Sequence, residues 1–128
     1  MRILILDDDA TTLEVLVKAL ELEGLQCSAF QNPVLGVEAY LKDRFDAVIT
    51  DVRMPLMSGL DVVQSLRDHD PHAKILVLTG HADLDVANAA MNRGAAAFFV
   101  KPYKIERILE TLRLFSSGSQ PVSGGDAG

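Results

Sequence analysis

Two runs in this chain are apolar at every position, Ile3-Leu4-Ile5-Leu6 and Ile75-Leu76-Val77-Leu78. A strand with one wet face alternates apolar and polar residues, so runs with no polar position belong to a sheet covered on both sides. Cys27-Ser28-Ala29-Phe30, Ala47-Val48-Ile49-Thr50 and Phe98-Phe99-Val100 bring the strand candidates to five. The Cys27 run is the least uniformly apolar and is expected at a sheet edge. Helical periodicity fills the intervals. Leu13, Leu16, Val17 and Leu20 follow a Thr11-x-x-Glu14 capping box, and Val34, Val37 and Leu41 follow Asn32-Pro33. Val62, Val63 and Leu66 mark a helix from about Gly59. A fourth, capped by Asp83 and ended by Gly94, is built on Ala87, Ala89 and Ala90, and the last carries Ile105, Ile108, Leu109 and Leu112.

Strand-then-helix alternation with short links requires parallel strands and right-handed crossovers, which places helices on both faces. The expected fold is one doubly wound α/β domain of the flavodoxin-like (βα)5 kind, a five-stranded parallel sheet in the order 2-1-3-4-5. The domain is expected to occupy residues 1–115, and 116–128 has the Ser/Gly-rich composition of a flexible tail or linker.

Several function classes fall away. A single cysteine, Cys27, excludes an internal disulfide, and neither a second cysteine nor paired histidines suggest a zinc site, so a small buried thiol is expected. No apolar run approaches the ~20 residues needed to cross a bilayer. Arg2 is the only basic residue before the first apolar run and three aspartates follow that run, so no secretory signal is read and a cytoplasmic location is expected. A net charge of −6 opposes direct contact with nucleic acid.

In sheets of this kind, ligands bind beyond the carboxyl ends of the strands, where strand order reverses. Asp7-Asp8-Asp9, Asp51, Thr79 and Lys101 each follow an apolar run at that edge. A lone strand-end aspartate is commonly a helix cap or turn former; four polar strand ends together are another matter. With strands one and three adjacent, Asp7, Asp8 and Asp51 converge and need a cation, for which Mg²⁺ is the natural choice. Lys101 and Thr79 add a positive charge and a hydroxyl suited to phosphoryl oxygens. The implied chemistry is attack by a carboxylate on a phosphoryl donor.

From about residue 2 to 115 the sequence resembles the receiver domain of two-component response regulators. Leu6-Asp7-Asp8-Asp9, Thr50-Asp51-Val52-Arg53-Met54-Pro55 with Gly59, Leu78-Thr79-Gly80 and Lys101-Pro102 agree with the family's motifs in order and spacing. The resemblance implies that Asp51 accepts phosphate from the phosphohistidine of a sensor histidine kinase or phosphotransfer protein. It implies Mg²⁺ ligation by Asp8, Asp51 and the Arg53 carbonyl, with Asp7 acting through water. It further implies that Thr79 moves onto the phosphoryl group while Phe98, which lacks the hydroxyl of the tyrosine common there, turns inward. Arg53 and His81 occupy positions that tune access of the hydrolytic water. The face formed by helix four, strand five and helix five would then control a downstream protein or output domain, with a phosphorylation-linked homodimer as a further expectation. The domain would catalyse only its own phosphorylation and dephosphorylation. His69 and His72, flanking Pro71, read as surface residues, and Leu114 as an outward leucine.

Asp7-x-Asp9-x-Thr11 also matches the first motif of haloacid-dehalogenase-type phosphatases, with Asp7 as nucleophile and Asp9 as acid. That reading requires a strand-end acidic pair after Lys101, where only Glu106, Glu110 and Asp126 occur, and leaves the Asp51 loop unexplained.

Overall fold

The computed structural model describes residues 1–116. The strands are β1 (Arg2–Leu6), β2 (Gln26–Phe30), β3 (Ala47–Asp51), β4 (Ile75–Thr79) and β5 (Ala97–Val100). The helices are α1 (Ala10–Glu21), α2 (Pro33–Lys42), α3 (Gly59–His69), α4 (Leu84–Asn92) and α5 (Ile105–Ser116), with a 3-10 turn, His81–Asp83, leading into α4. All strand pairs are parallel and the order is β2-β1-β3-β4-β5, so the strand of weakest apolar character does lie at an edge. Ser116 closes α5, one residue beyond the expected boundary, and the expected linker over 117–128 lies outside the described residues.

The two-residue period of the strands sorts the core into two layers. Ile3, Ile5, Ile49, Leu78 and Phe99 face Leu13, Leu16 and Leu20 of α1 and Ile108, Leu109 and Leu112 of α5. Leu4, Leu6, Val48 and Val77 face Val37 of α2, Val62, Val63 and Leu66 of α3 and Ala90 of α4. Each fully buried aliphatic side chain contributes on the order of 1.5–3 kcal/mol. No helix among the described residues is long and apolar enough to cross a membrane.

Three local expectations need correction. The cap of α1 is Asp9, not a Thr11-x-x-Glu14 box: its carboxylate accepts from the Thr11 amide at 3.1 Å and the Thr12 hydroxyl at 2.8 Å. An aspartate in extended backbone reaches the second and third donors of the helix better than a threonine already inside it. In α2, Asn32 caps and Pro33 begins the helix as expected, but the buried face is Pro33, Gly36 and Val37, while Val34 and Leu41 are exposed. A Cβ on Gly36 would collide with the Leu6 side chain, so the helix turns its smallest residue to β1 and approaches closely. Asp83 precedes α4 without a side-chain cap bond among the described residues, because its carboxylate is engaged elsewhere.

Candidate functional site

Strand register assembles the site. Leu6 lies opposite Thr50, Asp51 opposite Leu78, and Thr79 opposite Val100. Asp7 therefore emerges beside Asp51, while Thr79 and Lys101 leave the sheet one step further along. Behind Asp51 the chain turns through Pro55 into α3, whose capping box pairs Ser58 with Asp61. The Gly59 amide donates to the Val52 carbonyl at 2.7 Å, which holds the start of α3 against the strand end.

Carboxylate oxygens of Asp7, Asp8 and Asp51 all lie within 4.8 Å of one another. Asp8 is exposed, whereas Asp7 and Asp51 are buried. One oxygen of Asp7 accepts from the Asp9 amide at 2.9 Å; the other, Oδ2, is buried without a hydrogen-bond partner among the described residues. Burial is the main reason the Asp7 carboxyl rises from 3.8 to about 6, and the Asp51 and Asp8 charges push it the same way. A buried, unpartnered carboxylate oxygen facing two further carboxylates is an expensive arrangement unless positive charge joins it. The all-oxygen donor set fits a hard divalent cation such as Mg²⁺.

Asp51 Oδ1 accepts from the Val52 amide at 2.9 Å and from Lys101 Nζ at 3.2 Å. Burial raises the Asp51 carboxyl, and the Lys101 ammonium acts against that rise. Both of these hydrogen bonds fall on the same Asp51 oxygen, Oδ1. Lys101 is half-exposed and can follow charge as it develops on an incoming group. Thr79 is fully buried, and its hydroxyl donates to the Gly80 carbonyl at 3.1 Å and the Asp83 carbonyl at 3.2 Å, so it is spent on the β4–α4 loop.

Phe98 is half-buried against the α2/α3/α4 layer, and His81 is exposed at the start of the 3-10 turn. His69 and His72 are exposed on the opposite edge of the sheet, and Leu114 faces outward at 37% exposure. Cys27 is half-buried rather than buried, and burial raises its thiol to about 11. Glu106 and Glu110 stand exposed on α5 instead of at a strand end, so the phosphatase reading lacks its last acidic motif among the described residues.

One contact and one residue escaped the sequence reading. Arg53 donates through Nε to Asp83 Oδ1 at 2.7 Å and brings Nη2 within 2.6 Å of the same oxygen. No motif or periodicity joins Arg53 to Asp83, thirty positions further on. Tyr103 packs beneath the site, where burial, then the Asp7 and Asp51 charges, raise its phenol. Its place directly after Lys101-Pro102 was the available signal.

Residues 3–113 match the family model described as "Response regulator receiver domain". The chain is 34% identical over 102 residues to the DNA-binding transcriptional regulator NtrC of Escherichia coli K12, covering 80% of this chain and 22% of that protein. It is 36% identical over 111 residues to the response regulator protein TodT of Pseudomonas putida, covering 87% of this chain and 49% of that one. The chain thus spans about half or less of the length of these two curated relatives. Among solved structures, a response regulator receiver domain protein from Clostridium thermocellum superposes with a TM-score of 0.88 at 30% identity, covering 91% of this chain and 94% of the other.

Proposed function

The chain belongs to the response regulator receiver domain family of two-component signalling, and from that membership we propose that Asp51 is its phosphoacceptor. The supporting observation is the constellation itself: Lys101 Nζ 3.2 Å from Asp51 Oδ1, with the Asp7 and Asp8 carboxylates gathered at the same strand ends. An Asp51 oxygen attacks the phosphorus of a phosphohistidine on a sensor kinase or phosphotransfer protein. An O–P bond forms, the P–N bond breaks, and the imidazole leaves with its electron pair. Lys101 balances charge on the transferring oxygens, and in-line positioning supplies most of the remaining acceleration.

Asp8, Asp51 and the Arg53 carbonyl would hold Mg²⁺, with Asp7 reached through water. When bound, the ion supplies the charge neutralisation that lets a carboxylate approach a phosphoryl group. Thr79 then exchanges its loop carbonyls for a phosphoryl oxygen, and Phe98 turns inward by packing alone. Arg53 and His81 set the access of hydrolytic water and hence the lifetime of the adduct. The α4/β5/α5 face carries the change to a downstream protein or output domain. A phosphorylation-linked homodimer would advance size-exclusion elution upon phosphorylation; unchanged elution counts against it. The domain 1–115 thus serves as a switch whose only catalysis is on itself.

Incubation with acetyl phosphate and Mg²⁺, read by intact mass, tests the assignment. The expected product is an acid-stable, base-labile adduct that Asp51→Ala abolishes and chelation prevents. An adduct that survived Asp51→Ala would overturn it.

A further inference from the structure

We infer that Asp83 is a positioning residue whose ion pair with Arg53 latches the β4–α4 loop where the Thr79 hydroxyl is held off Asp51. The inference rests on the reading of Asp51 as phosphoacceptor, since it concerns when Thr79 becomes available to the phosphoryl group.

Both ends of Asp83 are engaged. Its carboxylate takes two guanidinium nitrogens of Arg53, at 2.7 and 2.6 Å. Its backbone carbonyl accepts the Thr79 hydroxyl at 3.2 Å, and its amide closes the 3-10 turn on the Gly80 carbonyl at 3.0 Å. Arg53 lies two residues past Asp51 in the loop that follows it, so a single aspartate ties the acceptor loop to the switch hydroxyl. The side chain of Asp83 is 12% exposed beneath an Arg53 that is 77% exposed. The anchored end is therefore the carboxylate and the releasable end the arginine.

The position of Asp83 in the chain offers its carboxylate a second use. Asp83 occupies the residue before α4, the usual place for an aspartate that caps a helix, yet makes no cap bond among the described residues. The helix that goes without it is only nine residues long and rich in alanine. Arg53 and the first amides of α4 compete for one carboxylate, which makes the loop bistable: paired to Arg53, or turned to cap α4. An ion pair this open to solvent adds little to global stability. A choice between two nearly balanced loop positions needs no more than a small bias.

A double-mutant cycle on Asp83→Asn and Arg53→Gln tests the latch with two readouts. One is hydrogen exchange of the backbone amides over 80–86 in the unphosphorylated protein; the other is the rate of adduct formation from acetyl phosphate. Asp83→Asn is expected to raise both by about threefold or more where Arg53 is present, and to change neither in the Arg53→Gln background. Equal effects in both backgrounds would make Asp83 a turn residue only, and no effect in either would also overturn the latch. The exchange arm needs no phosphorylation. A cycle that coupled there without any adduct would leave the latch standing and remove the phosphoacceptor reading instead.

Discussion

Gly59 lies so close to Asp51 that a side chain has no room: a Cβ there would press on the Asp51 carbonyl and come within 2.8 Å of the Val52 Cα. The obstacle is backbone, which cannot swing aside as a flexible side chain would. The backbone angles at Gly59 are those of ordinary helix, so its need is for space alone. Gly59→Ala should cost about 1–3 kcal/mol by overpacking. It should also slow phosphorylation, because α3 must move away from the strand end that carries Asp51. Urea unfolding measures the first effect, and acetyl phosphate labelling of the folded variant the second.

Asp7 should make the metal-free protein lose stability as pH rises. Its folded-state pKa of about 6 lies above the ordinary 3.8, so across that window the native state holds a proton that the unfolded chain has released. The contribution is intact below 3.8 and gone above about 6, a difference of about 3 kcal/mol. With chelator present, wild type should fall relative to Asp7→Asn as pH climbs through the window, read as the difference in urea midpoint. Adding Mg²⁺ near neutral pH should reverse the fall in wild type.

Leu56 stands at φ 74°, a left-handed conformation that branched side chains seldom adopt, and it is 77% exposed. Little packing is lost by replacing it. Leu56→Asn should raise stability by about 0.5–1 kcal/mol, since asparagine tolerates this region far better than leucine. Thermal melting checks the sign, and a fall in melting temperature would mean that Leu56 makes compensating contacts.

Lys101→Met keeps the length of the side chain and removes the charge 3.2 Å from Asp51. Adduct formation should slow by about 10²-fold, the usual cost of deleting one fixed donor to a developing oxyanion. The rate is measured at saturating Mg²⁺. A near-normal rate would show that the lysine only packs.

The sheet was legible because its evidence is local. Ile3-Leu4-Ile5-Leu6 and Ile75-Leu76-Val77-Leu78 contain no polar position, and burial on both faces is the one environment that suits such a run in water. The placing of Asp7, Asp8, Asp51, Thr79 and Lys101 was readable for a related reason: each lies at or just past the end of a strand, and parallel strands bring their carboxyl ends to one edge.

Where several partners were chemically equivalent, the residues alone did not choose. In α2, Val34, Val37 and Leu41 made as good a helical stripe as Pro33, Gly36 and Val37. What decided was the Leu6 side chain on β1, which fills the space a Cβ on Gly36 would need. Asp83 reads as the cap of α4, and the pairing of β3 with β4 brought Arg53 close enough to take its carboxylate instead. Sequence by itself determined the strands, their two-sided burial and the polar residues at their ends, because composition and period are properties of short segments. Tertiary structure decided the face of α2, the partner of Asp83 and the buried, unpartnered oxygen of Asp7, because each depends on the distance between segments far apart in the chain.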